Sequence, residues 1–350
     1  MYYDPQRQLV VDYHGGLADA RKKLLRMIGD PPTRYREDPV RIIRVVRFAA
    51  KLGFEIEAKT RKPVREMASL LGSVPPSRLF DEMFKLLQTG HSLASLAELR
   101  KQGLDKGIFP LLDVVLSDAP ALAEQRRFVE LALADTDRRV GEGKPVAPSF
   151  LLACLLWHEV LANWQRLKLS GEASHPALQQ AIDAVFDSRV GEISGRGKLG
   201  ADMREIWMMQ PRFERRVGNG PFSLIEQPRF RAGFDFLRLR ADVGECEPRL
   251  AEWWEDFSLE DEDARRAMVE ELRGKQQKQR PRTPGQTTTA MADADAENDG
   301  EVDDAAGDAG DSEDAAVSPE RKRRRRRRKP AAERDAARAA STPAADSSSH

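Results

Sequence analysis

Residues 34–53, RYREDPVRIIRVVRFAAKLG, constrain the fold more than any other stretch of the chain. Asp38 followed by Pro39 reads as a helix start, with a carboxylate cap before a proline at the first helical position. Gly53 reads as the stop. Between them Ile42, Ile43, Val45, Val46, Ala49, Ala50 and Leu52 cover one broad apolar face. Arg44, Arg47 and Lys51 stack on the other face at the three- and four-residue spacing of helical neighbours, with Arg41 at its edge. A basic stripe thus runs beside a face that has to be buried, and Glu37 and Asp38 head the stripe. Asp38 and Arg41 can point the same way, one offering acceptors and the other a donor fork. That pairing suits the edge of a nucleobase. A carboxylate accepts from the amino group of adenine or cytosine, and a guanidinium donates to the neighbouring ring nitrogen. The same residues also read as a capping carboxylate bridged to its own helix, with arginines that are only solvated.

The rest of the chain predicts a mostly α protein. Residues 1–16, MYYDPQRQLVVDYHGG, pattern as a β-hairpin, and no further strand-rich segment follows. A lone hairpin is unstable in water, so this one is expected to belong to a larger sheet. Residues 17–30 pattern as a short amphipathic helix built on Leu17, Leu24, Leu25 and Ile28, closed by Gly29 and the break at Pro31-Pro32. Residues 60–71 give another helix, and Pro75-Pro76 introduces SRLFDEMFKLLQTG with Ser77 as its cap. Arg78 and Glu82, four apart in that segment, read as a surface ion pair. Helical periodicity then continues from residue 92 through residue 169. Its most apolar part, SFLLACLLWHEVLANWQRLKL, predicts a buried core helix with Trp157 and Trp164 on one face. Further helices follow at 177–188 and 200–215, separated by a loop, RVGEISGRGK, at 189–198. The chain has two cysteines, Cys154 and Cys246, too far apart in sequence to suggest a disulfide framework or a zinc site. His158 is followed by glutamate, but no HExxH pattern occurs.

Lys plus Arg and Asp plus Glu are both 57, and the balance conceals a segregated tail. From about Gly274 the periodicity stops and no Phe, Trp or Tyr remains, which predicts disorder. Residues 283–320 carry acids and no base, and residues 321–329 read RKRRRRRRK. An arginine block of this kind, including Arg321, Arg323, Arg324 and Arg325, suits RNA phosphates without reading sequence. Arg212, Arg215, Arg216, Arg229, Arg231, Arg238 and Arg240, interleaved with phenylalanines, equally suit an RNA backbone or a solvated helical face. No signal peptide or membrane span is apparent, and the cysteine usage fits a reducing compartment, so a cytoplasmic protein is expected.

EDPVR followed by IIRVVRFAAKLGF resembles the neck-helix signature of the class II nucleotidyltransferases, the family of bacterial poly(A) polymerases and tRNA CCA-adding enzymes. The resemblance implies that Asp38 and Arg41 read the base of the incoming nucleotide and that Arg44 contacts the nucleotide too. Glu37 and Arg47 stand beside them in support, and Lys51 lies on the RNA side. The segment P-x-R-L-F-x-E at 76–82 is similar to that family as well. Asp12-Tyr13-His14-Gly15-Gly16 matches the turn by which the family's head domain joins its neck. By that match residues 1–16 are expected to be the remnant of a truncated nucleotidyltransferase head. Residues 17–90 would then form a neck, 91–273 a helical RNA-binding body and 274–350 an acidic and then arginine-rich tail. The family's Gly-Ser and Asp-x-Asp motifs, which hold two magnesium ions, would lie upstream. The resemblance therefore assigns no catalytic and no metal-binding residue here. Asp135-Thr136-Asp137 and Asp261-Glu262-Asp263 lack the strand and Gly-Ser loop that the motif needs.

The stretches SFLLACLLWHE and PFSLIEQPRFRAGFDFLRLRADVGE, then WWEDF at 253–257, resemble the body of the poly(A) polymerase branch. That branch implies ATP as substrate, RNA 3′ ends as partner and template-independent addition of AMP. Two alternatives stay open: a tRNA CCA-adding enzyme, because cytosine satisfies the same Asp–Arg pair, and a non-catalytic RNA-binding protein.

Overall fold

The computed structural model describes residues 1–189 and 197–279. Most of the loop expected at 189–198, and the acidic and arginine-rich tail with Arg321, Arg323, Arg324 and Arg325, lie outside the described residues.

The chain opens with the expected hairpin. Strand β1, Tyr2–Asp4, pairs antiparallel with β2, Leu9–Val11, with Tyr3 opposite Val10. Asp4 shapes the connecting turn by accepting from the backbone N–H groups of Gln6 and Arg7. Asp12 shapes the turn after β2 in the same way, accepting from the N–H groups of Gly16 and Leu17 at 2.9 and 2.8 Å. Those bonds, the one from Leu17 first, are the main reason its carboxyl sits below the usual range. Tyr2, Tyr3, Leu9 and Val10 are each more than half exposed, so both faces of the hairpin meet solvent.

Residues 17–30 depart from the helix expected there. Helix α1 covers only Gly16–Arg21, and the chain then turns into a short strand, β3, Leu24–Leu25. Helix α2 is Pro31–Glu37 and α3 is Val40–Leu52. Strand β4, Glu55–Ile56, returns to pair parallel with β3. The Leu24-Leu25 pair is thus claimed by a long-range ladder, which local periodicity does not show. Nor does Pro31-Pro32 break a helix. It begins one, because proline's missing N–H is no loss at the first helical positions.

Beyond β4 the described chain is helical. It comprises α4, Ala58–Glu66; α5, Pro76–Leu87; α6, Ser92–Gln102; α7, Asp113–Leu116; α8, Ala123–Gly141; and α9, Pro148–Leu169. Then come α10, Ser174–Ser188; α11, Lys198–Phe213; α12, Gly220–Ile225; α13, Phe230–Asp242; α14, Pro248–Leu259; and α15, Glu262–Gln279. Ser77 lies inside α5 and makes no cap, because Pro75 holds that position. Helix α15 carries on through Gly274, past the point where the sequence pattern ends.

One apolar core runs without a break from Tyr35 on α2 to Leu239 on α13. A second cluster, from Met209 to Val269, gathers Phe213, Phe234, Trp254 and Phe257. Burial of such aromatic side chains is the largest apolar contribution each makes to stability. Helix α9 supplies the centre of the first core, where every residue from Ser149 to Trp157 is buried. Trp164, one heptad on, donates its indole N–H to the Ser174 carbonyl at 2.9 Å. Gly233 lets α13 approach α11 closely, for a Cβ there would stand 2.7 Å from Met209 Sδ. Among the described residues no helix is long and apolar enough to cross a membrane.

Candidate nucleotide-binding site

Two Asp-Pro steps flank α2, and they do different work. Asp30 caps the helix, accepting from the Thr33 backbone N–H at 3.1 Å and the Thr33 hydroxyl at 2.6 Å. Asp38 caps nothing. It ends α2 with an extended backbone, φ −148° and ψ 93°, and α3 starts without a side-chain cap. The expected capping role of Asp38 is therefore overturned. Its Oδ2 instead accepts from Arg78 Nη2, on α5, at 2.9 Å. Helix α3 runs on to Gly53, whose positive φ of 62° closes it as the sequence requires.

The basic stripe forms, with partners other than those expected. Arg41 does not meet Asp38. Its guanidinium donates to Glu37 at 2.9 Å and to the Arg34 carbonyl at 3.0 Å. Glu37 also takes Arg34 at 2.6 Å, and the hydrogen bond from Arg41 is the main reason its carboxyl sits below the usual range. Arg44 donates Nε and Nη2 to Glu82 Oε1 at 3.2 and 3.1 Å, while its Nη1 stands 4.0 Å from Asp38 Oδ2. Arg47 Nε faces Glu82 Oε2 at 3.9 Å, and its guanidinium lies 4.5 Å from the centre of the Phe48 ring. Lys51 is exposed.

Arg78 and Glu82 are thus not an intrahelical surface pair. They face α3 from α5, one holding Asp38 and the other gathering Arg44 and Lys85. The Glu82 side chain is 2% exposed. Burial pushes its carboxyl up, but hydrogen bonds from Lys85 and Arg44 outweigh that and leave it lowered. The segment at 76–82 was the sequence signal for these two residues. What it lacked was the crossing of α5 over α3, which sets them opposite the stripe. Four buried atoms of the cluster make no hydrogen bond: Asp38 Oδ1, Glu82 Oε2, Arg47 Nε and Arg34 Nε. Glu82 Oε2 and Arg47 Nε face one another. Asp38 Oδ1 is an acceptor still open to a donor, which an exocyclic amino group can supply.

Residues 53–116 match a family model described as "Probable RNA and SrmB- binding site of polymerase A", and residues 170–287 match "Polymerase A arginine-rich C-terminus". Poly(A) polymerase I of Haemophilus influenzae is 36% identical over 298 residues, covering 84% of this chain and 66% of the relative. The chain belongs to the poly(A) polymerase family. It spans 59–66% of the length of the poly(A) polymerase I relatives it matches. A CCA-adding enzyme of Bacillus licheniformis is 38% identical over 185 residues, which is 51% of this chain and 43% of that enzyme. A solved structure described as "tRNA-processing enzyme (apo form 2)" aligns with 76% of this chain and 69% of its own at 21% identity and a TM-score of 0.42.

The family's arginine-rich region is largely paired in this chain. Arg229 reaches Asp202 at 2.6 Å, Arg231 reaches Asp235 at 3.1 Å, and Arg238 reaches Asp135 at 3.7 Å. Arg240 is buried, donating to Glu245 at 3.1 Å over the face of Trp157, so it is no RNA contact. Arg216 packs over Trp253, while Arg212 and Arg215 stay exposed. Asp135-Thr136-Asp137 lies inside α8, which runs on to Gly141. Asp137 serves α6 instead, accepting from the N–H of Ser92 at 2.7 Å. Asp261 accepts from the N–H of Ala264 at the start of α15. His158 meets Glu245 at 3.1 Å. Cys154 is buried in the core, which pushes its thiol well up. Among the described residues no group of three His, Cys, Asp or Glu could hold a metal ion.

Proposed function

We propose that this chain supplies base selection and RNA grip to a polynucleotide adenylyltransferase, which adds AMP from ATP to RNA 3′ ends without a template. The observation that carries the reading is Asp38 Oδ1, buried and without a donor, in a carboxylate that Arg78 holds and that Arg44 approaches. An adenine amino group would fill that acceptor. Arg41 or Arg44 would turn a donor to the adjacent ring nitrogen, and Arg47 and Lys51 would lie along the phosphates. Arg78 and Glu82 act as positioning residues, the first holding the carboxylate and the second anchoring Arg44. Residues 17–90 form the neck of this proposal and 91–273 its body. The arginine block with Arg321, Arg323, Arg324 and Arg325 adds affinity for RNA without sequence preference. The region at 53–116 takes its RNA role from the description of its family model.

Magnesium would be held by carboxylates outside the described residues, since no donor set among these fits it. The residues named here bind and orient nucleotide and RNA, and no proton transfer is assigned to them. The expected compartment is the cytoplasm, where messenger polyadenylation and RNA turnover take place. Cytosine offers the same amino group beside a ring nitrogen, and CCA-adding enzymes match part of the chain, so the two activities need separating. The protein expressed from its complete reading frame should extend oligo(A) with ATP. Preferential use of CTP on tRNA lacking its terminal CCA would make it a tRNA nucleotidyltransferase. Binding of RNA with no extension from either nucleotide would leave it a non-catalytic RNA-binding protein.

A further inference from the structure

A second carboxylate–arginine cluster lies away from the neck. Asp235, on α13, is 5% exposed. Its Oδ2 accepts from Arg139 Nη1, on α8, at 2.7 Å and from Arg231 Nε at 3.3 Å. Its Oδ1 receives no hydrogen bond, although Arg231 Nη2 stands 3.1 Å away. Arg139 Nε is buried too, with no acceptor. Both residues line one cavity of about 230 Å³, whose walls include Phe150, Pro145 and Pro228. Arg231 covers Oδ1 with a side chain that is 66% exposed and lies over the Phe234 ring, so an occupant has to displace it from Oδ1.

An acceptor and a donor without hydrogen bonds, on two residues that line one cavity, select the chemistry of the occupant. A phosphate group would satisfy the arginine but meet a buried carboxylate of its own sign. An aliphatic side chain would satisfy neither group and leave both desolvated. A planar heterocycle with an N–H next to a ring or carbonyl acceptor satisfies both, and the phenylalanine and proline walls pack against its faces. The lining carries Arg139, Arg229 and Arg231 against Asp135 and Asp235, a positive excess for the strand's backbone. We propose that this cavity binds one unstacked base of the RNA strand. The proposal rests on the RNA reading given above, and deepens it by naming what the body recognises: a base, in addition to backbone phosphates.

The test uses Ala147→Trp and Pro228→Trp, exposed positions that plug the cavity from two sides and leave the ion pairs untouched. Affinities for oligo(A) and for an abasic oligomer of the same length are measured over a salt series with the full chain. Each plug should weaken oligo(A) about tenfold, the worth of one lost base-stacking contact. The slope of affinity against salt should stay the same, because no phosphate contact is lost. Affinity for the abasic oligomer should match the unsubstituted chain, which also shows that the variants are folded. Equal affinity of plugged and unplugged chains for oligo(A) would overturn the proposal. So would an equal loss for both oligomers with a shallower salt slope, which would mark a phosphate site. If the unsubstituted chain bound neither oligomer, the RNA reading itself would fall, and this with it.

Discussion

Two acid–arginine networks of nearly the same composition differ in which partner is covered: the arginine in one and the carboxylate in the other. After α13, Glu245 takes the Trp157 indole at 2.8 Å, Arg240 at 3.1 Å and His158 at 3.1 Å. Arg240 is 7% exposed and lies across the Trp157 ring, so the network is closed over by aromatic surface. Between α3 and α5, Glu82 is 2% exposed against 16% for Glu245, but its partners Arg44 and Lys85 are 39% and 54% exposed. Beside them Asp38 keeps one oxygen without a donor. The first network also has atoms without a hydrogen bond, Glu245 Oε1 and His158 Nδ1, but Oε1 faces His158 Nε2 at 3.1 Å within the protein. The second is left partly unmet at its edge, and a buried acceptor with no donor is what a ligand's amino group can complete.

The largest expected effect lies in the closed network. Glu245→Ala leaves Arg240 charged and buried, which should cost about 3–5 kcal/mol in a urea melt. A loss no larger than a surface ion pair's would put the two networks in one class and break the comparison. Next comes Glu82→Gln, which removes a charged acceptor from Arg44 and Lys85 while keeping the side chain's shape. About 1.5–3 kcal/mol should go, with weaker ATP binding because Arg44 loses its anchor. Full ATP affinity in that variant would remove Glu82 from the site.

Acid should affect both networks in the same direction. Burial pushes the carboxyls of Glu245 and Glu82 up. Hydrogen bonds from His158 and Trp157 in one, and from Lys85 and Arg44 in the other, more than offset it and leave both below their ordinary value. A lowered carboxyl stabilises the fold above its unfolded-state pKa and loses that contribution as pH falls through the folded-state value. Unfolding followed from neutral pH downward should therefore show stability falling below the ordinary carboxylate range, less steeply in Glu82→Gln. The smallest change in stability is expected for Asp38→Ala, within about 1 kcal/mol, because its partner Arg78 is 46% exposed. A larger loss would make Asp38 a structural residue like Glu245.

The sequence carried the helical class and the register of α3, since a 13-residue run from Val40 to Leu52 with a broad apolar face and a glycine stop has few other solutions. It placed Trp157 and Trp164 in the core correctly, because their seven-residue spacing survives packing. It could not tell Asp30 from Asp38. Both precede proline and both have an extended backbone, and only their partners, Thr33 for one and Arg78 arriving from α5 for the other, separate a cap from a carboxylate that caps nothing. Pairings across distant segments escaped for the same reason. The β3–β4 ladder, Arg44 with Glu82, and Arg240 under Trp157 depend on which helices cross, and local periodicity does not encode that.

The central claim is that Asp38 accepts from an exocyclic amino group. Calorimetric titration of ATP against purine ribonucleoside triphosphate, which lacks that group, tests it on the intact protein and on Asp38→Ala. ATP should bind the intact protein about tenfold more tightly, and the two nucleotides should bind Asp38→Ala equally. Equal affinities in the intact protein, or a preference that survives Asp38→Ala, would contradict it.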